Sequence, residues 1–282
     1  MIAHLTVALL GVLAPAQQAD TTFAVDAAGR LELTQIEGSV RVTGWDRGEM
    51  RVAADYDEDE GRLEIRQSGG TVHVAAKGEW GEPVWAAFDI SLPRGMAVEL
   101  TGVSFDIEVS GVAGDVSAST AEGDVSLDGG SGNIALNAVE GIVTVVGAAG
   151  KIAINAVDGD VSVNRSNGAL AVTAVDGNVT LEDIASDNVS VNAVDGDITY
   201  QGTITDGGRY VLSTHDGDLY VTIPGNANAR ISIDTFSGDL QTEFPVELEG
   251  SFGKKRISFT VGTGKALVEL SAFDGTISLK KR

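Results

Sequence analysis

The sequence contains no cysteine, only five prolines among its 282 residues, and few aromatic side chains, at 5%. Without thiols the chain forms no disulfide, has no thiol nucleophile and offers no cysteine for lipid attachment behind a signal peptide. The low aromatic content argues against a core of large rings. Glycine is abundant, with 36 residues, and the apolar residues are mainly Val, Ile, Leu and Ala. This composition is typical of short β-strands separated by glycine turns.

Basic residues are also scarce, since 19 Lys and Arg face 41 Asp and Glu and leave a formal net charge of −22. A polyanion would be repelled by such a chain, so we expect no nucleic-acid partner. A strongly acidic balance is typical of a solvated surface. It also admits cations or basic surfaces as partners.

Histidine is scarce as well, with three residues. Beyond residue 16 only His73 and His215 remain, and His215 stands where other repeats carry Val157, Val175 and Val194. With no cysteine present, zinc sites and thiol catalysis are excluded, and a Ser-His-Asp triad would need one of these two histidines. The sequence therefore identifies no catalytic, cofactor-binding or metal-binding residue. We expect a protein that is not an enzyme and that uses no cofactor.

The N-terminus has the pattern of an export signal. Residues 5–13 are apolar and are followed by Ala14-Pro15-Ala16, a small-residue cleavage site, although no Lys or Arg precedes them. The apolar run is shorter than the roughly 20 residues that a membrane span needs. No later stretch is apolar enough to span a membrane. We predict a signal peptide over residues 1–16 and a periplasmic, secreted or cell-surface protein.

Glycine marks an internal repeat. Eight glycines follow one another at intervals of nine residues: Gly114, Gly123, Gly132, Gly141, Gly150, Gly159, Gly168 and Gly177. The residues around them alternate between two unlike half-repeats, so the full unit is eighteen residues. Repeats of this length are typical of solenoids. We expect each repeat glycine to lie in a turn with positive φ.

Stacking the chain at eighteen residues aligns apolar residues in columns. One column contains Val116, Ile134, Ile152, Leu170 and Val189, and the opposite half-coil contains Val125, Val143, Val161, Val179 and Ile198. Within each half-coil the apolar residues are two apart, which is the period of a strand with one buried face. The sequence predicts an all-β, single-stranded parallel β-helix or β-solenoid of about eighteen residues per coil.

The repeat is less regular at both ends. We predict a signal peptide over 1–16, an irregular N-terminal capping region over 17–97 and regular solenoid repeats over 98–282. Extra residues at 203–208 and 244–255 are predicted to form loops at one corner. The N-terminal region holds all the tryptophans, Trp45, Trp80 and Trp85. They either cap the open core, as terminal coils do, or present Trp80 and Trp85 as an exposed platform for a sugar or partner.

Acidic residues also form columns. One precedes the repeat glycine, with Glu122, Glu140, Asp158, Asp176, Asp195 and Asp216, and a second follows it, with Asp115, Asp124, Asp160, Asp197, Asp218 and Asp239. Carboxylates about 4.8 Å apart repel by about 0.9 kcal/mol in water. Either each Asp accepts hydrogen bonds from its own turn, or calcium bridges adjacent coils. A polar column of Asn137, Asn155, Thr173, Asn192 and Ser213 predicts a ladder of side-chain hydrogen bonds.

Several motifs resemble those of the bacterial adhesin-like DUF4097 family, whose function is unknown. They are Gly38-x-Val40-x-Val42-x-Gly44-Trp45-Asp46, Ile90-Ser-Leu-Pro93-Arg-Gly95, the repeated Asp-Gly-Asp-Val units, and the closing segments that begin at Gly264-Lys-Ala-Leu-Val and Asp274-Gly-Thr-Ile. The resemblance covers residues 23–282. It implies an exported β-solenoid of adhesin-like character, and it brings no catalytic residues with it.

Three functions fit these patterns. The first is a non-enzymatic adhesin-like or scaffold protein that binds an envelope protein or glycan and self-associates through its solenoid ends. The second is an enzyme acting on polysaccharide, which would need a cleft that breaks the repeat and is lined by carboxylates and an arginine. The third is a calcium-binding protein of the β-roll kind. An accessory role in envelope-stress signalling is a separate alternative that the sequence leaves open.

Overall fold

The computed structural model describes residues 18–245 and 255–282, so the predicted signal peptide and most of the predicted loop at 244–255 lie outside the described residues. The described part is all β, with 24 strands and no helix. The N-terminal strands are β1 (Gln18–Ala24), β2 (Arg30–Trp45), β3 (Glu49–Tyr56), β4 (Gly61–Ser68), β5 (Thr71–Gly78), β6 (Trp85–Pro93) and β7 (Ala97–Ser110).

The middle of the chain alternates longer and shorter strands. They are β8 (Val116–Glu122), β9 (Val125–Asp128), β10 (Asn133–Glu140), β11 (Val143–Val146), β12 (Lys151–Asp158), β13 (Val161–Asn164), β14 (Leu170–Asp176), β15 (Val179–Ile184), β16 (Asn188–Asp195), β17 (Ile198–Gly202), β18 (Arg209–Asp216) and β19 (Leu219–Ile223). The last strands are β20 (Ala229–Ser237), β21 (Leu240–Thr242), β22 (Lys255–Val261), β23 (Ala266–Asp274) and β24 (Ile277–Lys281).

Each middle strand pairs in parallel with the strand two places along the chain. Strand β10 pairs with β8 and β12, and β11 pairs with β9 and β13. Ile134 pairs with Ile152, and Val143 with Val161. Because this register matches the spacing of the sequence repeat, like residues lie above one another from strand to strand. The mostly parallel arrangement is that of a solenoid, as the sequence predicted.

The order of strands in space departs from chain order at both ends. At the C-terminal end, β23 lies between β18 and β20. Strand β20 is therefore farther from β18 in space than β23 is, although β20 comes earlier in the sequence. At the N-terminal end, β2 lies between β6 and β7. Antiparallel strands cover the outermost parallel strands: β3 on β6, β4 on β5, and β22 on β20. These pairings leave fewer open parallel edges for other chains to extend.

The core is a continuous column of aliphatic side chains. Strand residues alternate between buried and accessible positions, as in β12 and β16. The predicted column residues Ile134, Ile152 and Val161 are all at most 1% exposed. Each such side chain contributes about 1.5–3 kcal/mol on burial. Aromatic rings enter the core at Tyr200 and Tyr210, which pack edge to face with centroids 6.1 Å apart.

Only one of the two sets of repeat glycines has a positive φ, which corrects the prediction of positive φ at every one. Gly159 has a φ of 142° and the equivalent glycines of other coils are similar, a region that favours glycine. Gly168, in the other half-coil, does not have a positive φ. There a Cβ would collide with the carbonyl oxygen of Gly150 in the preceding coil. Close stacking of backbones, and not turn conformation, excludes a side chain at that position.

Candidate functional site

One corner of the solenoid carries a row of exposed apolar residues that continues from strand to strand. Val139 lies beside Val157 because its neighbours Ala138 and Glu140 pair with Ala156 and Asp158. The same reasoning places one residue of each coil in the row, which we call the apolar ridge. In spatial order its members are Ile36, Val103, Ala121, Val139, Val157, Val175, Val194, His215, Phe273 and Phe236.

The ridge accounts for most of the exposed large apolar side chains in the described part of the chain. Except for Ala121, which is half-buried, its aliphatic and phenylalanine members are between 40% exposed, at Ile36, and 58% exposed, at Phe236. Outside the ridge, the only large apolar side chains of the described residues that are comparably exposed are Trp80, Trp85, Ile142 and Tyr220. Single exposed apolar residues are ordinary on protein surfaces, whereas a contiguous patch indicates a contact surface. The sequence repeat showed this column of valines, but not that it faces outward.

The C-terminal end of the ridge is aromatic. The rings of His215 and Phe273 stack with centroids 4.7 Å apart, and those of Phe273 and Phe236 stack with centroids 4.8 Å apart. All three side chains are exposed. His215 thus replaces valine as a member of this stack. Stacked pairs contribute about 0.5–1.5 kcal/mol beyond the area that they bury.

Exposed indoles lie at the opposite end. Trp85 is 53% exposed and pairs with Glu37. Glu37 follows the ridge residue Ile36 in the sequence. Trp80 is 87% exposed. A residue that covers an open core is buried, so the capping interpretation is wrong for these two side chains. Trp45 is half-buried, and its indole N–H donates to the carbonyl oxygen of Glu49 at 2.8 Å.

An acidic row runs alongside the ridge and is here called the acid column. It contains the residue after each ridge residue: Glu37, Ser104, Glu122, Glu140, Asp158, Asp176, Asp195, Asp216, Asp274 and Ser237. All are acidic except the two serines, and all are exposed. Ser104 donates to the Glu122 carboxylate at 2.9 Å. The column places repeated negative charge beside an apolar surface.

The second acidic row is a hydrogen-bonded ladder, and it corrects the first of the two alternatives, in which each Asp binds its own turn. Asp124 accepts from the backbone N–H of Ile142, and Asp160 accepts from that of Asn178, each at 2.8 Å. Asp197 and Asp218 continue the pattern further along the solenoid. Each acceptor serves an amide of the next coil. These carboxylates join coils together, which offsets the repulsion between them.

The polar column forms the predicted ladder over part of its length. The Asn155 side-chain amide donates to the Asn137 oxygen at 2.9 Å, and Asn137 donates to Ser119 at 3.1 Å. Like the Asp ladder, these bonds run between coils. In residues 18–245 and 255–282, no group of three or more His, Asp or Glu side chains is arranged to hold a metal ion.

A groove of about 530 Å³ opens where the irregular N-terminal strands meet the regular repeat. Its lining includes Arg41 and the carboxylates of Asp55, Asp89, Asp106, Glu108 and Asp124. Carboxylates and an arginine are the lining that an enzyme acting on polysaccharide would need. Most of these groups also have structural partners.

Those partners are ion pairs and ladder bonds. Arg41 binds Glu108 at 2.9 Å, and Arg51 lies 3.9 Å from Asp89. Asp106 accepts from the backbone N–H of Asp124 at 3.0 Å, as a member of the Asp ladder. The ion pairs and the ladder account for the positions of most groups in the groove.

Comparisons with known proteins add a family. Among solved structures, the chain is similar to a putative cell adhesion protein from Clostridium sporogenes, with 12% identity and a TM-score of 0.24 over 94% of this chain and 100% of that one. It is also similar to putative adhesins from Parabacteroides merdae, with 12% identity and a TM-score of 0.41, and from Parabacteroides distasonis, with 11% identity and a TM-score of 0.43. These two cover 94% of this chain and 97% and 98% of their own.

No curated protein matches the chain. The described residues contain no helix that is long and apolar enough to cross a membrane. The model of the Toastrack DUF4097 family matches residues 28–280, which is nearly the whole sequence and includes every coil that carries the ridge. This protein is therefore a member of the Toastrack DUF4097 family.

Proposed function

We propose that this protein is a non-enzymatic, adhesin-like scaffold that binds an envelope or surface partner through the apolar ridge. The observation that carries the proposal is the continuity of the ridge over ten neighbouring strand positions. At about 4.8 Å per coil, it is about 43 Å long. Exposed apolar surface of that extent is costly in water unless a partner covers it.

The backbone under the ridge supports tight binding. Val157 and Val175 lie on strands that are bonded to neighbours on both sides, β12 with β10 and β14, and β14 with β12 and β16. A surface held in this way loses little conformational freedom when a partner binds, so less of the interaction energy is spent on ordering. We propose that coils of eighteen residues, each supplying one ridge residue, build this surface.

Export is part of the proposal. An apolar run over residues 5–13 followed by Ala14-Pro15-Ala16 has the form of a cleaved signal. A protein that is periplasmic, secreted or displayed at the cell surface would meet envelope proteins and glycans. The expected partner is one of these, and the ridge is the surface that it would contact.

The experiment compares two doubly substituted proteins. In the ridge variant, Val157→Ser and Val175→Ser remove apolar side chains from the ridge. In the control variant, Ile142→Ser and Tyr220→Ser remove exposed apolar side chains outside it. Binding of each labelled protein to envelope fragments of the producing bacterium is measured by sedimentation. We expect the ridge variant to bind at least about tenfold more weakly than the control variant. Equal binding of the two variants would refute the ridge as the contact surface.

The groove favours a second candidate, a polysaccharide-acting enzyme. Glu108 and Asp55 would be its acid and base candidates, since both line the groove. Release of reducing ends from a polysaccharide, lost in Glu108→Gln, would support this candidate. No release from the unmodified protein would exclude this candidate.

A further inference from the structure

We infer that the partner of the apolar ridge is a cationic amphipathic helix of a protein. This inference rests on the proposed function and adds the chemistry of the partner. It is carried by the acid column beside the ridge, since a ligand that covers the ridge must also face that column. Three features argue for it: the unpaired charge, the exclusion of other partners by charge, and the spacing of the coils.

Among the described residues, the charge beside the ridge has no counter-charge. The described acidic side chains that form ion pairs lie elsewhere, as in Arg30 with Glu99 and Arg209 with Glu269. Within the described residues, no Lys or Arg pairs with a carboxylate of the acid column. A partner with Lys or Arg along one edge of its apolar face would supply this missing charge.

Other occupants of the ridge are disfavoured by charge. A second copy carries the same formal charge of −22 and would place one acidic protein against another. Anionic lipids and acidic glycans would be repelled by the acid column in the same way. A neutral partner would leave the column unpaired. Charge complementarity therefore selects a basic partner, and the ridge selects one with an apolar stripe.

The coil spacing favours a helix over an extended chain. Ridge residues recur about every 4.8 Å, successive turns of a helix about every 5.4 Å, and same-face residues of an extended chain about every 6.8 Å. For a helix lying along the ridge, the mismatch between helix turns and coils grows by about 0.6 Å per turn. It stays below half the coil spacing for about four turns. An extended chain drifts by about 2 Å at each step and loses register almost at once. A basic amphipathic helix thus keeps its side chains between those of the ridge.

Three synthetic twenty-residue helical peptides serve as probes. The first has a Leu stripe flanked by Lys, the second has the same stripe flanked by Glu, and the third keeps the Lys but replaces Leu with Ser. Binding to the full chain is measured by fluorescence anisotropy. We expect the first peptide to bind at least about tenfold more tightly than either of the others. Its affinity should fall severalfold between about 50 and 300 mM NaCl, because exposed charges are screened.

Variants assign the binding to the acid column. Asp158→Asn, Asp176→Asn and Asp195→Asn together remove charge from the column. The matched control, Asp128→Asn with Glu182→Gln and Asp187→Asn, removes equal charge from exposed positions outside it. We expect the column variant to weaken binding of the Leu-Lys peptide at least about fivefold and the control to change it less than about twofold. All of these side chains are exposed, and circular dichroism and the melting midpoint verify that each variant is folded.

The possible results separate this inference from the proposed function. If the ridge variant loses binding to envelope fragments but the Leu-Glu peptide binds as well as the Leu-Lys peptide, the cationic partner is wrong and the ridge remains the contact surface. Equal effects of the column variant and its control also overturn the cationic partner. If the ridge variant retains binding to both the fragments and the Leu-Lys peptide, the proposed function itself fails.

Discussion

Asp197 accepts a hydrogen bond from the backbone N–H of Asp218, the equivalent residue of the next coil, at 2.8 Å. Two negatively charged residues are thus neighbours because one of them satisfies the other's amide. In the coil before, Asn178 has the same role, since its side-chain oxygen accepts from the N–H of Asp197 at 3.0 Å. Each position of the ladder therefore requires a side-chain oxygen that accepts a hydrogen bond. A negative charge is not required, because Asn performs the role without one.

The ladder predicts opposite outcomes for two substitutions of Asp197. Asp197→Ala removes the acceptor and leaves the partly buried N–H of Asp218 without its bond, so the free energy of unfolding should fall by about 1–3 kcal/mol. Asp197→Asn keeps an acceptor oxygen, as Asn178 does naturally, and should change it by less than about 0.5 kcal/mol. Guanidinium unfolding measures both. A loss in Asp197→Asn as large as in Asp197→Ala would show that the charge is required.

Close stacking of coils predicts the effect of Gly168→Ala. The new Cβ would collide with the carbonyl oxygen of Gly150, and the coils must separate locally to accommodate it. We expect a loss of about 1–3 kcal/mol in the free energy of unfolding. Gly48→Ala is the matched control, because no atom lies within 4 Å of the position that a Cβ would take there. It should change stability by less than about 0.5 kcal/mol, and equal effects would contradict the stacking argument.

The buried tyrosine pair predicts a difference between two Tyr→Phe substitutions. The Tyr210 hydroxyl donates to the carbonyl oxygen of Ser186 at 2.7 Å and accepts from the N–H of Thr205 at 2.9 Å. Tyr210→Phe leaves both groups unsatisfied and should cost about 1–3 kcal/mol. Tyr220 is exposed, and its hydroxyl donates to the Asp218 carboxylate, so Tyr220→Phe should cost less than about 0.5 kcal/mol. Chemical unfolding of the two proteins tests this order, and a reversed order would refute it.

A surface ion pair predicts a pKa change. The Lys265 ammonium 2.7 Å from Asp206, together with a hydrogen bond from Asn228, holds the pKa of Asp206 below its ordinary value. Because the folded pKa is lowered, the pair stabilises the fold above the ordinary carboxyl pKa, and this contribution is lost as pH falls through the lowered one. Lys265→Met should raise the pKa of Asp206, measured by carbon NMR titration.

The control for that titration is Lys280→Met, which removes an exposed lysine from β24. It should leave the Asp206 titration where it is in the unmodified protein. If Lys265→Met leaves the pKa of Asp206 unchanged as well, the ion pair is not formed in solution.

The Asp ladder predicts no dependence of stability on calcium. The described ladder carboxylates bind backbone amides of the next coil, so coils are already joined without a cation. We expect the same melting midpoint in EDTA and in millimolar CaCl₂. Sodium chloride of equal ionic strength controls for screening. A midpoint raised by calcium, and not by that control, would instead support the calcium-bridged alternative.

The repeat alone predicted much of the fold, because its period sets which residues meet. Ile134 and Ile152 are equivalent in sequence, and they pair in the structure. Their alternation with polar residues also indicated which side chains face inward. A solenoid core depends on contacts between adjacent repeats, so local sequence contains most of the information that it needs.

Only the tertiary structure decided the order of the end strands, the partners of the carboxylates and the outward face of the ridge. Strand β23 inserts between β18 and β20, a contact between distant parts of the chain that no local period encodes. Whether Asp124 binds its own turn or the next coil depends on the separation of two backbones. Val157 is apolar and follows the buried Ala156 directly, yet it is exposed. The sequence determined the repeat, and the packing of one coil on the next determined which apolar column became the core and which became a surface.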